Sequence, residues 1–288
     1  MATHIEAYTA IKNNDNIELK NILNDENFEI NKIFTIISDD ISYKTYLLYE
    51  ALIYCDKSVI ELLLVKGADP DIKVNNNTLS CLTISTMHNN IDIIQLLLDY
   101  DANINVTSYL GTSLNISVMY NSYDKFKLLL DNNADINKSI PIITAAIYGN
   151  IIYVKELVEL GCIIDKQNNE GKNALYYAVM YVNYDIVKYL LYNGSNPLIK
   201  DNNGNDSLKI AKKILKLLLE NNINYDFNEK YNFNEDSNIY NSIIDKNNIT
   251  TEIYDINNII SLIEKYICYR FLHKKLPNKL IKNLNDYL

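Results

Sequence analysis

The sequence predicts an all-α fold, a solenoid of about six to seven helix-pair units with a small helical C-terminal region. Three observations lead to this prediction. A leucine-rich phrase recurs along the chain, a turn-forming residue follows each copy, and a small residue precedes each copy at a fixed distance. The 288-residue chain is 48% hydrophobic and 22% charged, which is typical of a folded protein and not of a disordered one.

The recurring phrase predicts the second helix of each unit. Its first strong copy reads Glu61-Leu-Leu-Leu-Val-Lys-Gly67, and later copies follow at intervals of about 28 to 34 residues. Apolar residues within a copy fall three and four positions apart, which is the spacing of one face of an α-helix. The strong copies begin at Glu61, Gln95, Lys127, Lys155, Lys188 and Lys216, and a weaker one begins at Leu19.

The position after each phrase predicts where the second helix ends. Only Gly, Asn and Asp occur there, and these residues tolerate the left-handed backbone conformation that commonly closes a helix. The first unit is the exception, because Glu26 is the residue nearest to that position. In the other units the position is occupied by Gly67, Asp101, Asn133, Gly161, Gly194 and Asn222.

A first helix is predicted upstream of each phrase. A small residue recurs there, and its short side chain allows the two antiparallel helices of one unit to approach closely. An apolar anchor lies three residues before the small one. The small residues are Ala10, Ala51, Ser85, Ser117, Ala145 and Ala178, and the anchors are Leu48, Leu82, Leu114, Ile142, Leu175 and Leu208.

Together these positions resemble the ankyrin repeat, which has a hairpin turn, a first helix, a second helix and a closing glycine. The fifth unit keeps Pro141-Ile142 and Ala145-Ala146, and the sixth keeps Gly171 and Leu175. The resemblance covers about residues 6 to 227 and implies an all-α ankyrin-repeat solenoid. The chain departs from the family pattern in lacking its histidine and in the shortened hairpins of units four and five.

The resemblance divides the chain into an ankyrin region (1–227), a polar linker (228–250) and a helical C-terminal segment (251–288). The last unit lacks about five residues between Ala211 and Leu217, so we expect its two helices to fuse into one and to form a terminal cap. The units span about 6–32, 33–73, 74–106, 107–138, 139–166, 167–200 and 201–227.

Two helices are predicted in the C-terminal segment. Thr250 or Thr251 fits the N-cap of the first, whose apolar residues Ile256, Ile260, Ile263, Ile267 and Phe271 follow at helical spacing. Pro277 suits the first turn of the second. The apolar face of that second helix consists of Leu276, Pro277, Leu280, Ile281, Leu284 and Leu288.

The second of these helices resembles the first helix of an F-box. Poxvirus ankyrin proteins carry a similar shortened motif in their C-terminal PRANC region, so the resemblance implies a partner. In that family the motif docks on the Skp-type linker of a cullin-RING ubiquitin ligase, while the repeats hold a host protein in the host cytoplasm. The six apolar residues would then form the contact with the ligase linker and help to counter host defence.

Two alternatives stay open. The last helix could cap the final repeat with its apolar face, with no partner involved. The chain could also be a plain ankyrin binder that blocks a host signalling protein without recruiting a ligase. Which host protein is bound, and on which surface, is not specified by the repeat pattern, because exposed side chains determine it. Tyrosines such as Tyr176, Tyr177, Tyr181 and Tyr184 are predicted to be mostly packing residues, some of which face the binding surface.

Other function classes are disfavoured by composition. A net charge of −9 argues against nucleic-acid binding, and no apolar run is long enough for a membrane span. Cys55, Cys81, Cys162 and Cys268 lie far apart and are expected to be reduced thiols. The three histidines lack metal-ligand spacing, and no catalytic or cofactor-binding motif occurs. We therefore expect a binding protein that is not an enzyme and has no catalytic residue, cofactor or metal. The abundance of asparagine is attributed to an A/T-rich coding sequence.

Overall fold

A computed structural model describes residues 3–38, 41–72, 79–88, 91–220 and 249–272. Within these residues it contains fourteen helices and one two-stranded antiparallel sheet. The chain forms two compact halves, an N-terminal half Met1–Pro141 and a C-terminal half Ile142–Leu288. The predicted helix-pair repeat fold is confirmed, and it contains one β-hairpin that the repeat pattern does not predict.

The N-terminal half is built from helix pairs. The first helices of neighbouring pairs pack side by side, and so do the second helices from the second pair onward, so that each pair is covered by its neighbours. The helices are α1 (His4–Lys12), α2 (Asn16–Leu23), α3 (Leu47–Tyr54), α4 (Lys57–Val65), α5 (Cys81–Met87), α6 (Ile91–Asp99), α7 (Ser113–Met119) and α8 (Tyr123–Asp131).

The predicted small residues and apolar anchors lie in the core. All six small residues are buried in the first helices, and so are the anchors except Leu208, which is half-buried. The hydroxyl groups of Ser85 and Ser117 donate to carbonyls of their own helices, Cys81 at 2.9 Å and Leu114 at 2.7 Å. These bonds satisfy both hydroxyls without a partner from another helix, so serine replaces alanine there without an unpaired polar group.

The β-hairpin follows the first helix pair. Strand β1 (Phe34–Ser38) pairs with β2 (Ile41–Thr45), and Phe34 lies opposite Thr45. Ile36 is buried while its neighbour Ile37 is exposed, as the alternation of side chains along a strand requires. Phe34 packs against helix α1, with its ring 5.9 Å from that of His4. The β-branched residues of these strands were the available signal for this hairpin.

The predicted left-handed helix ends are confirmed wherever the structure describes them. The backbone angle φ is +90° at Gly67, +63° at Asp101, +64° at Asn133, +82° at Gly161 and +94° at Gly194. Asn222 lies outside the described residues. The first unit differs, as expected, because neither Asp25 nor Glu26, which follow the end of its second helix, has a positive φ.

A ladder of Asn and Asp side chains joins successive loops of the N-terminal half. The side chain of Asn31 accepts a hydrogen bond from the backbone N–H of Asp69 at 2.8 Å. In the next two loops, the side chain of Asp71 accepts from the backbone N–H of Asn103 and that of Asn105 accepts from the backbone N–H of Asp135, both at 2.9 Å. Asn31 and Asn105, two of the asparagines whose abundance was attributed to the coding sequence, therefore help to hold neighbouring repeats in register.

The C-terminal half continues the repeats and ends with a long helix. Helix α13 is a single helix where two were expected to fuse, which confirms that prediction. It packs on α11 of the preceding repeat. The helices are α9 (Pro141–Ile147), α10 (Ile151–Glu159), α11 (Ala174–Met180), α12 (Tyr184–Tyr192), α13 (Ser207–Glu220) and α14 (Ile249–Leu272).

Helix α14 covers the last repeat, so α13 is not the terminal cap that the sequence predicted. It packs on both α12 and α13, and Ile256, Ile259 and Ile263 on its inner face are fully buried. An ion pair of 2.6 Å between Glu264 and Lys212 joins the outer surfaces of α14 and α13. The helix begins at Ile249, so Thr250 and Thr251 lie inside it and neither is the N-cap that the sequence predicted. Phe271 belongs to this helix, and its side chain lies outside the described ones.

Candidate functional site

The six residues predicted to contact a ligase linker lie outside the described residues. Their proposed role therefore stays a prediction of the sequence. The same holds for the predicted helix that contains them and for most of the polar linker. These residues are Leu276, Pro277, Leu280, Ile281, Leu284 and Leu288.

A surface of apolar and aromatic side chains lies at the ends of the first helices in the N-terminal half. It occupies the positions two and three residues after Ala51, Ser85 and Ser117. After Ala10, the small residue of α1, the same positions hold the exposed residues Lys12 and Asn13, so the surface begins at the second helix pair. Tyr54 and Tyr120 are 49% and 50% exposed, and Ile53 and His88 are also exposed. We call this surface the first-helix stripe, and its members are Ile53, Tyr54, Met87, His88, Met119 and Tyr120.

The packing of the first helices places these side chains in a row. Helix α3 contacts α5, and α5 contacts α7. Packed helices lie about 8–10 Å apart, so equivalent side chains on successive helices follow at that interval. Hydroxyl caps begin two of these helices at equivalent positions, because Ser80 accepts from the Thr83 N–H and Thr112 from the Asn115 N–H. The register of the repeats therefore determines the row.

An exposed tyrosine lies on the hairpin loop that precedes α7. Ser108 and Gly111 exchange backbone hydrogen bonds of 2.8 and 3.0 Å, which places Tyr109 at the tip of a tight turn. Gly111 has φ of +97°, and a Cβ there would lie 3.1 Å from Asn115, so glycine is required in this turn. Tyr109 therefore presents a further aromatic side chain in the same repeat as Tyr120.

The stripe carries no Lys, Arg, Asp or Glu at any of its six positions. Lys125 donates a hydrogen bond to the carbonyl of Thr86, next to Met87, but its side chain is only 3% exposed. Its burial lowers the pKa of the ammonium group, because water stabilises that charge better than the protein interior does. The exposed part of the stripe is consequently neutral.

A buried carboxyl group lies in α3 on the side of the β-hairpin. Glu50 is 1% exposed, and its Oε1 accepts a 2.6 Å hydrogen bond from the Thr45 hydroxyl at the end of β2. Its Oε2 has no hydrogen-bond partner among the described residues. Burial raises the pKa of Glu50, although the Thr45 hydrogen bond and the charge of Lys12 oppose this effect.

Replacing Glu50 with Gln should change how stability depends on pH. A carboxyl group whose folded-state pKa is raised binds its proton more tightly in the folded state, so stability falls as pH rises from about 4 towards the folded-state pKa. Each unit of raised pKa corresponds to about 1.4 kcal/mol. We expect urea unfolding to show that the free energy of unfolding of Glu50→Gln rises relative to that of the native protein between pH 4 and pH 7. An equal pH dependence of both proteins would contradict this.

In the C-terminal half the same two positions carry Ile147 with Tyr148 and Met180 with Tyr181. Tyr148 is exposed and Met180 is buried. The ring of Tyr181 stacks on that of Tyr177, with centroids 6.5 Å apart. Tyr176 and Tyr177 are buried, which confirms that they are packing residues, and Tyr181 and Tyr184 are half-buried.

Three of the four thiol groups are poorly suited to nucleophilic chemistry. Burial raises the pKa of Cys81 to about 12, and that of Cys55 and Cys162 to about 11. In the described part of the chain, no group of three or more His, Cys, Asp or Glu side chains is arranged to hold a metal ion. Nor does that part contain a helix both long and apolar enough to cross a bilayer.

Comparison with protein-family models identifies the repeats. A model described as "Ankyrin repeats (3 copies)" matches residues 47–140 and 137–201, which together make up more than half of the chain. The match includes the helices that carry the first-helix stripe.

Two curated relatives come from Acanthamoeba polyphaga mimivirus. One, a putative ankyrin repeat protein designated L271, is 42% identical over 60 residues, which are 21% of this chain and 8% of that protein. The other, a putative ankyrin repeat protein designated R664, is 35% identical over 92 residues, 32% of this chain and 57% of that protein. The chain therefore matches less than two thirds of the length of either relative.

Solved structures show the same fold. The ankyrin repeat domain of Bcl-3, a member of the IkappaB protein family, superposes with a TM-score of 0.59 at 20% identity and covers 71% of this chain and 92% of its own. The ankyrin repeat domain of human ASB11 has a TM-score of 0.55 at 19% identity, covering 71% of this chain and 90% of its own. These similarities agree with the repeated helix pairs described above.

Proposed function

This chain belongs to the ankyrin-repeat family, and on that premise we propose that it is a viral adaptor that binds proteins and performs no catalysis. Its repeats would hold a host protein, and its C-terminal segment would dock on the Skp-type linker of a cullin-RING ubiquitin ligase. The observation that carries the binding function is the first-helix stripe, where exposed aromatic and apolar residues recur at equivalent positions of three successive repeats. Tyrosine and methionine are enriched where proteins contact one another.

The cover formed by α14 supports the ligase part of the proposal. The apolar stripe of residues 276–288 could have been explained as a cap for the last repeat. Ile256, Ile259 and Ile263 of α14 already bury that face of α12 and α13. We therefore expect the apolar face predicted for residues 276–288 to bind a partner.

The relatives support a viral setting. Both are mimivirus proteins whose names describe ankyrin repeats, and neither name gives a binding partner. We propose the host cytoplasm as its location, because a viral adaptor would find a host target and a ubiquitin ligase there. The resemblance to poxvirus ankyrin proteins rests on the repeats, the A/T-rich residue usage and the ending at residues 276–288 taken together.

A second function is a repeat-only binder that blocks a host signalling protein without a ligase. It is supported by the match of residues 47–201 to ankyrin repeats, which are the only part of the chain that this function needs. The two functions share the stripe and differ only in whether the last helix recruits the ligase.

The deciding experiment replaces both Leu280 and Leu284 with Asp. If the ligase linker covers these residues, the double variant keeps its melting temperature and loses binding to purified Skp-type linker–cullin complex. Asn278→Asp with Asn285→Asp is the matched control, since it adds the same charge outside the apolar face and should bind normally. If the folded Leu280/Leu284 variant still binds the complex, this contact is rejected. If the native chain does not bind the complex, the repeat-only function is supported.

A further inference from the structure

We infer that the segment of the partner held by the first-helix stripe is an uncharged, apolar peptide segment, and not the basic segment that an acidic chain would be expected to attract. This inference rests on the proposed binding function. The chain as a whole carries 36 acidic and 27 basic residues. Net charge governs long-range attraction, whereas the groups buried on contact determine which segment fits.

The first step of the argument is the absence of charge from the stripe. In a chain of which 22% is charged, none of the six stripe positions carries a charged side chain, with histidine counted as neutral at pH 7. Charges resume at once on the second helices, with Asp56 and Lys57 at the start of α4. The neutral character therefore belongs to the stripe and not to its surroundings.

The second step concerns the cost of covering such a surface. A Lys or Arg of the partner pressed against Ile53 or Met119 would lose water and find no carboxylate in the stripe to replace it. Burying an unpaired charge is strongly unfavourable, so a basic segment is rejected by the surface that it would cover. An apolar segment loses no such hydration, and the burial of its apolar surface favours binding.

The third step concerns what the stripe can offer. Tyr54 and Tyr120 are each about half exposed, so each ring is held by the repeat while its outer part remains available. Tyrosine contributes a large apolar surface and one hydroxyl group, which can bond to a peptide carbonyl or N–H. Met87 and Met119 are half-buried, and methionine adapts its shape to varied apolar side chains.

The test uses a random peptide display library selected on the full chain at pH 7.5. The probe is then the enriched peptide, made synthetically and titrated at low and high salt. We expect enriched peptides without Lys or Arg in the contact region. Their dissociation constant should change by less than about twofold over a tenfold rise in salt, since no ion pair is screened.

Two double variants locate the contact. The double variant Tyr54→Lys with Tyr120→Lys should weaken binding of the synthetic peptide at least about tenfold, because tyrosines commonly contribute most of the binding energy at such contacts. Ile17→Lys with Val65→Lys adds the same charge at exposed aliphatic residues of second helices and should leave affinity unchanged. Thermal unfolding confirms that each variant is folded, and Tyr54→Ala with Tyr120→Ala replaces the lysine pair if that pair unfolds.

The outcomes separate this inference from the proposed function. Enriched peptides rich in Lys or Arg, or an affinity that falls steeply with salt, leave the binding function standing and reject the uncharged partner. Equal weakening by the control pair rejects the stripe as the site. Failure of the native chain to enrich any peptide rejects the binding function and this inference with it.

Discussion

Replacing Leu190 with Ala should lower the free energy of unfolding by about 2–5 kcal/mol. Leu190 is fully buried in α12, beside Ile186, Val187 and Leu191, which are buried too. Helix α12 packs on α10, α11 and α14, so this face contacts three other helices. Removing the side chain leaves a cavity, and the three helices packed around it cannot all move inward to fill it. Urea unfolding followed by circular dichroism at 222 nm measures the change.

Leu160→Ala is the matched control for this measurement. Leu160 follows the last residue of α10 and is exposed, so its removal opens no cavity. We expect its effect to stay within about 0.5 kcal/mol, as for most surface substitutions. Equal costs for the two variants would show that the apolar phrases do not form the core of the repeats.

The part of this fold that could be predicted is the part that repeats. Six copies of one phrase act as an alignment within the chain, so the positions shared by the copies reveal the buried face. Ala51 and Ala178 were identified as close-packing residues in this way, and both are fully buried. The left-handed conformation at Asp101 and Asn133 was predicted by the same comparison, because only Gly, Asn and Asp occur at that position.

Features present once, or held by several loops together, were harder to predict. The hairpin of Phe34–Ser38 and Ile41–Thr45 occurs in no other described repeat, so no copy reinforced its alternating pattern. The hydrogen bond from Asp69 to Asn31 joins residues that only folding brings together. Without the fold, an abundant asparagine is indistinguishable from one favoured by codon composition.

The first-helix stripe could have been found from the sequence. Its members stand two and three positions after each small residue, and aligning the copies on Ala51, Ser85 and Ser117 places Tyr54, His88 and Tyr120 in one column. The buried leucines are the most obvious feature of that alignment, because they vary least among the copies, and the exposed columns are less noticeable. The binding surface is the set of columns that vary in residue type and remain exposed, and exposure is known only once helix packing is known.

Replacing Ile263 with Asp should be among the most damaging single changes in the chain, with an expected cost of about 3–5 kcal/mol. Ile263 is fully buried on the face of α14 that covers α12 and α13. An aspartate there would place a carboxylate among Ile259, Tyr266 and neighbouring apolar side chains. A buried charge without a partner is strongly disfavoured, so the helix must leave the repeat or the group must take up a proton.

The stack of repeats determines where this damage should appear. Each repeat is stabilised mainly by its neighbours, so a lost cover weakens the nearest helices first. We expect amide hydrogen exchange to quicken in α13 and α12, while α3 and α4 of the N-terminal half keep their native rates. Ser261→Asp adds the same charge on the exposed side of α14 and should alter neither stability nor exchange. If Ile263→Asp behaves like Ser261→Asp, α14 does not cover the repeats, and the apolar residues 276–288 again become candidates for that role.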